Sequence, residues 1–408
     1  MRLCSKIFAR GSLLATIALL LLAVIPLPGH RAKSAMRSLR SPEPNRADRE
    51  SHAGGYYVGL IDGGPDSGRD ELTLRLLGKT SDWQSFHDVG ATEYLEDDFL
   101  QFQLKPNLST YAFGRPFTTN ARGLRDRKYT IVKPPKTIRI ALLGSSMDMG
   151  WGVSMEETYE NRLEDWLNIH ATRRGIDRKF EVINFAMAAY SPLHRLETFR
   201  RKARDYQPDL VLYSATMLDA RLLDIHLRSL LRERIDPSYD FLREALSGID
   251  VAPDDLRLDA FGEIRDKGGL KNKLKPHLAD IADATIAELD AQCRARHVAL
   301  AIVVIPRVGK GDAPEERAPT ISRFEAITDR LAIPLLDLSP TFDDRDPSAI
   351  EIAPWDDHPN AIGHRLLFEE LARELVENAS LYRILFGIDP PEGPTSVPVP
   401  EGKTAHRR

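Results

Sequence analysis

The chain has 408 residues, of which 42% are hydrophobic, 28% charged and 7% aromatic, which excludes a wholly disordered chain, a collagen-like repeat and a protein that crosses the membrane many times. Lys and Arg number 56 against 60 Asp and Glu, a net charge of −4, so nothing in the charge balance asks for nucleic acid. Cys4 and Cys293 are the two cysteines, too few for a disulfide scaffold or a cysteine-built zinc site, and the length suits one large domain with additions.

In chain order, Arg2, Lys6 and Arg10 precede an apolar run from Leu13 to Leu27 that ends in Pro28-Gly29. A basic segment before such a run reads as a secretory signal peptide or a single membrane anchor, placed over residues 1–35. The run is shorter than the roughly 20 residues that cross a bilayer comfortably, which favours the signal. Arg31, Lys33, Arg37 and Arg40 make the far flank basic too, leaving orientation open. Either way the chain is expected to leave the cytoplasm for the periplasm or cell envelope. Residues 36–80 are polar and rich in Gly and Pro, a linker. Residues 81–135 mix alternating apolar positions with turn signals, as in the run Phe99 to Arg127, and predict a small strand-containing N-terminal extension without a core of its own.

From Lys136 the pattern becomes strand, helix, strand. Apolar runs at Ile138–Leu143, Phe180–Phe185, Leu210–Ser214, Val298–Ile305 and Pro334–Leu338 read as strands. Helical periodicity falls between them, near 156–169, 193–206, 274–296 and 321–331, with a last helix at Ala361–Glu377. This alternation implies right-handed crossovers and a parallel sheet of about five strands covered on both faces. The expected fold is therefore an α/β domain over 136–388, with a helical insertion near 218–285 that could cap a sheet edge. The proline-rich segment 389–408 reads as a disordered tail.

Ligands of open parallel sheets bind outside the carboxyl ends of the strands. After the first strand comes Gly144-Ser145-Ser146-Met147-Asp148-Met149-Gly150-Trp151-Gly152. A serine there can sit at a helix N-terminus, whose free N–H groups stabilise a developing oxyanion, although serine after a strand also serves as a plain helix cap. Before the last helix stands Asp356-Asp357-His358-Pro359-Asn360. In an extended Asp-x-His segment both side chains can lie on one side, so Asp356 can orient the His358 imidazole. Capping by Asp357 or Asn360, with His358 a surface residue, is the alternative. A metal reading is weaker, because His358 and His364 are six residues apart and no ligand cluster adjoins them.

Taken together, RIALLGSSMDMGWGV, VINFAMAAYS, PDLVLYSATMLDA and DDHPNAIGH stand in the order and spacing of the SGNH/GDSL hydrolase superfamily. The chain resembles that family over about 136–375, and the run through TTNARGLRDR resembles the segment preceding the catalytic domain in bacterial exported members. The resemblance implies a three-layer α/β/α flavodoxin-like fold and serine-dependent ester chemistry. It places Ser146 on the nucleophile, His358 on the base and Asp356 as the orienting acid. Backbone N–H groups of Ser146 and Ala189 fall on the oxyanion hole. No cofactor is implied, and the expected partner is an ester-bearing small molecule or glycan.

The chain departs from the family pattern in four places. Ser145 replaces the Asp before the nucleophile. Trp355 occupies the usual position of the acid. Ala189 stands for a glycine, at a cost if its φ is positive. Met217 and Leu218 stand where an oxyanion-binding asparagine is expected, leaving Thr216 or Asn272 as replacement donors. Asp148, Trp151 and His194 are candidates to line the substrate site. Arg221 and His226 fit a solvated basic helix face. Two expectations follow: an ester hydrolase or O-acyl transferase acting on envelope glycan or lipid esters, or a catalytically weakened relative serving as a binding or assembly module. The oligomeric state is left open.

Overall fold

In the computed structural model, residues 84, 86, 89–259, 264–309, 313–354 and 356–390 are described. The apolar segment 1–35, the linker 36–80 and all of the tail beyond residue 390 lie outside them. Two short antiparallel pairs build the extension: β1 (Thr92–Tyr94) with β2 (Phe102–Leu104), then the hairpin β3 (Ser109–Ala112) and β4 (Arg115–Thr118).

The domain that follows is a parallel sheet made of β5 (Thr137–Leu143), β6 (Lys179–Asn184), β7 (Leu210–Thr216), β8 (Ala299–Ile305) and β9 (Leu335–Asp337). Their order, β6-β5-β7-β8-β9, is the 2-1-3-4-5 order of flavodoxin-like sheets; the sequence pattern predicts the parallel five-stranded sheet, and the family resemblance implies the flavodoxin-like arrangement. A final hairpin joins β10 (Glu351–Ala353) to β11 (Asp356–Pro359).

The helices among the described residues include α1 (Ser146–Met149), α2 (Tyr159–Arg173), α3 (Pro192–Arg201), α4 (Asp219–Glu233), α5 (Asp240–Ser247), α6 (Lys267–Leu274), α7 (Leu278–Arg294), α8 (Pro314–Leu331), α9 (Ala361–Glu377) and α10 (Ala379–Phe386), with a further single turn at Pro347–Ile350. Period-two alternation divides each strand between two cores. Ile140 and Leu142 of β5 join α2, α9 and α10, while Ala141 and Leu143 join α3, α4, α7 and α8. Every residue of β7 is buried, as befits a central parallel strand.

The structure corrects three expectations. The insertion does not cap a sheet edge. Leu223, Leu227, Leu242, Leu270 and Leu274 join the same core as α3 and α7, so it thickens one helical layer. The predicted 193–206 helix breaks, with α3 ending at Arg201 and a 3-10 turn at Ala203–Tyr206. Beyond Glu377 the chain turns at Asn378, whose side chain caps the additional helix α10.

A buried polar tie anchors the amino-terminal half of β5. Arg139 is fully buried, and its Nε donates to Glu181 on β6 at 2.8 Å. Its remaining N–H groups donate to the carbonyls of Ile131, Tyr206 and Thr130 at 2.9, 2.8 and 2.6 Å. Removing one partner of such a pair strands the other charge, a loss of about 3–5 kcal/mol. Arg139→Met is therefore expected to lower the unfolding free energy by that amount, read by urea denaturation of the full chain.

Candidate active site

The loop after β5 is shaped by a glycine and a buried carboxylate. A Cβ at Gly144 would lie 2.2 Å from the Asp148 carboxylate, so only glycine fits. Asp148 accepts the Ser145 N–H at 2.6 Å and the Tyr159 hydroxyl at 2.5 Å. Burial drives its pKa above the usual carboxylate range against those bonds. The far end of the turn is held by Asn184 and Arg125. Asn184 Nδ2 donates to Asp148 O at 2.7 Å. Arg125, reaching in from the extension, donates to Met149 O at 2.7 Å, to Gly150 O at 2.5 Å and to Val153 O. Gly150 ends the turn at φ 82°. Ser146 is thus presented at the first position of a short, pinned helical turn.

The opposing residues come from the β10–β11 hairpin. Asn360 holds its base: the side chain accepts from Ile362 N and Gly363 N at the start of α9 and donates to Ala349 O and Glu351 O. In extended β11 the side chains of Asp356 and His358 fall on one side. His358 Nδ1 is 2.6 Å from Asp356 Oδ1, and its Nε2 is 2.8 Å from Ser146 Oγ, across 212 positions of sequence. A carboxylate at Nδ1 selects the tautomer with the proton there, which turns the Nε2 lone pair toward the serine hydroxyl. The second Asp356 oxygen accepts the Trp151 indole N–H at 2.8 Å. Burial works to raise the Asp356 pKa, but His358, Trp151 and a backbone N–H together hold it below the usual value. Trp151 also stacks on His358, with centroids 4.9 Å apart, and on Phe113 of the extension at 3.6 Å.

The other predicted residues separate into two groups. Ala189 is fully buried at φ 65°, a left-handed conformation that costs an alanine roughly 1 kcal/mol. Neither its N–H nor that of Ser146 reaches a protein acceptor among the described residues. Thr216 is no open donor, because its hydroxyl gives its hydrogen to Asp219 at 3.1 Å and accepts from Leu218 N. Asn272 is exposed on α6, in the insertion.

Asp148, Trp151 and His194 do not line an open pocket: they are 0%, 3% and 0% exposed. His194 is bound to Ser191 and stacks on His226 at 3.5 Å. His226 is not on a solvated face either, since it is fully buried against Ser191 Oγ and Phe99 O. Asp356, Asp357 and His358 cluster closely enough to suggest a metal. Two of them bind each other, however, and Asp357 pairs with Arg307.

Sequence reading assigned no role to Arg125, Asn184 or Glu160. Arg125 and Asn184 lie in segments already singled out, but both hold the serine turn through its backbone carbonyls, which leave no trace in sequence.

No family model matches the chain, and no curated protein matches it. Similar solved structures include an acetyl-xylooligosaccharide esterase from Geobacillus, 13% identical, covering 58% of this chain and 94% of that one, with a TM-score of 0.38. A psychrotrophic esterase from Pseudoalteromonas is 14% identical, covering 59% and 97%, with a TM-score of 0.34. A two-domain esterase active on acetylated mannans is 13% identical, covering 64% and 52%, with a TM-score of 0.38. Likeness at this level carries no weight for chemistry, which the chain's own side chains decide.

Glu160 supports the turn through Asn184. Its Oε1 accepts from Asn184, Asn161 and Thr158, while Oε2 is buried without a partner. Burial foremost, with Glu164 nearby, pushes its pKa from 4.5 to about 8. A carboxyl whose folded pKa is raised binds more protons folded than unfolded, so stability falls as pH climbs from 4.5 toward 8. Glu160 by itself is expected to take about 2 kcal/mol from the unfolding free energy between roughly pH 6 and 8.5. Glu160→Gln, which keeps the accepting oxygen, is expected to remove most of that loss in urea melts at the two pH values.

Proposed function

We propose that this chain is a serine-dependent ester hydrolase or O-acyl transferase of the SGNH type, exported and acting on envelope glycan or lipid esters. The observation that carries the reading is the chain of contacts from Asp356 through His358 to Ser146 Oγ, at 2.6 and 2.8 Å.

In the reaction, Ser146 Oγ bonds to the ester carbonyl carbon as its proton passes to His358 Nε2. Asp356 stays ionised and stabilises the imidazolium. The oxyanion is assigned to the backbone N–H groups of Ser146 and Ala189. Collapse breaks the bond to the leaving alcohol, which takes the proton back from His358. Water, or a sugar hydroxyl in the transferase case, then gives His358 a proton as it attacks the acyl-enzyme, and Ser146 is restored. The apolar run before residue 28, with its basic flank, supports export.

The weakened-module reading draws on one observation: the Thr216 hydroxyl is committed, and Met217 and Leu218 offer no polar side chain. Losing one oxyanion donor costs about 10²–10³ in rate, which slows a serine hydrolase without abolishing acylation.

A fluorophosphonate probe on the purified full chain is expected to label Ser146, with labelling absent in Ser146→Ala and reduced by at least roughly 10³ in His358→Ala. Labelling that survives Ser146→Ala removes the nucleophile assignment, and no labelling of wild type favours the binding module.

Trp151 acts through Asp356 as a positioning residue. Trp151→Phe keeps the ring between Phe113 and His358 but deletes the N–H. A hydrogen bond to a charged group contributes about 1.5–3 kcal/mol, so kcat for p-nitrophenyl acetate is expected to fall about tenfold with KM little changed.

A further inference from the structure

A cavity of about 270 Å³ lies between the extension and the end of α3, lined by Gln103, Arg122, Phe185, Lys202 and Tyr206 among others, and by no residue of the Ser146–His358–Asp356 chain. Three cations face it. Arg201 is already neutralised by Glu197 and Asp98. Lys202 is half-buried just past the last turn of α3, and its ammonium group makes no hydrogen bond or ion pair among the described residues. The Arg122 guanidinium, on the loop after β4, likewise meets no carboxylate among them. Two acids, Glu93 and Asp205, also line the cavity, and Glu93 already accepts from Gln103 Nε2 at 2.8 Å.

A half-buried ammonium that forms no ion pair is costly to keep; burial brings its pKa from 10.5 down to about 8, and the Glu93 carboxylate across the cavity offsets that only in part. At neutral pH the ammonium remains largely charged, which makes an anion the natural complement. The walls restrict what carries that anion. Phe185 and Tyr206 meet edge to face, their centroids 5.4 Å apart, and supply an apolar side. Gln103, Glu93 and Asp205 supply hydrogen-bonding partners for hydroxyl groups. A volume slightly under the usual range of ligand pockets, about 300–1,000 Å³, admits a single ring and no long acyl chain.

We propose that this cavity is a binding site for a sugar acid: one carboxylate held between Lys202 and Arg122, hydroxyls toward Gln103 and the two acids, and the ring against Phe185 and Tyr206. The site is distinct from Ser146 and independent of the ester chemistry. Its loop, 121–124, runs directly into Arg125, the residue that clamps the serine turn.

The test is calorimetry on the purified full chain at pH 7 with sodium glucuronate, glucose and inorganic phosphate as probes. Glucuronate is expected to bind at least tenfold more tightly than either of the others. Lys202→Met and Arg122→Met, which keep the apolar stems, are each expected to weaken it at least tenfold with a melting temperature no lower than that of wild type. Ser146→Ala is expected to bind it as wild type does, so the result stands whether or not the serine is a nucleophile. Equal binding of glucose, or wild-type affinity in both cation variants, overturns the proposal. Phosphate binding as tight as glucuronate reduces the site to one for bare anions and overturns the sugar acid. Loss of binding in Ser146→Ala moves the ligand to the serine site and overturns it as well.

Discussion

Parallel pairing is the constraint on which the rest of this molecule depends. Strands that run the same way must be joined by crossovers, so every carboxyl end in the sheet opens onto one edge. The turn after β5 and the hairpin before α9 are brought to that edge from 212 positions apart. Neither segment is a site alone. Ser146 without β11 is a capped turn, and Asp356-Asp357-His358 without β5 is an acidic loop beside a histidine. The crossover geometry converts two ordinary features into a hydrogen-bonded chain.

Holding the serine turn requires buried polar groups that a plain core would omit. Asp148 closes it from inside, Asn184 and Arg125 take its carbonyls, and Glu160 supports Asn184. Each of these ionisable groups is buried, and each has its pKa moved by that burial: Asp148 and Glu160 upward, Arg125 down to about 10. Such a network is expensive unless its members satisfy one another, and the buried Oε2 of Glu160 marks where satisfaction is incomplete. The left-handed alanine at position 189 adds strain on the same edge. Rigidity at Ser146 and His358 is thus maintained at the expense of stability, with the cores on both sheet faces supplying the compensation.

The extension belongs to this arrangement rather than decorating it. Phe113 stacks on Trp151, Trp151 donates to Asp356 and stacks on His358, and Arg125 clamps the serine turn. Phe86, Phe102, Phe113 and Phe117 share one apolar cluster with Met149 and Trp151. The small strands have too little surface for a core of their own, so they complete the one that backs the site.

The sheet was legible in the sequence because alternating apolar residues between helical periods admit few other arrangements. The five strands fall within a residue or two of their expected positions, and the serine and histidine segments were recognisable from motif order. What sequence alone determined was therefore the architecture and the residue types available at the strand ends. The Asp-x-His spacing already pointed to Asp356, but the further partners of the two aspartates were decided in three dimensions: Asp357 turns to Arg307, whereas Asp356 also accepts from the Trp151 indole. Likewise His194 and His226, polar in sequence and plausible at a site or on a surface, stack on each other in the interior. Period and propensity act over a few residues, but burial and partnership depend on neighbours more than a hundred positions away, so only the tertiary structure could assign them.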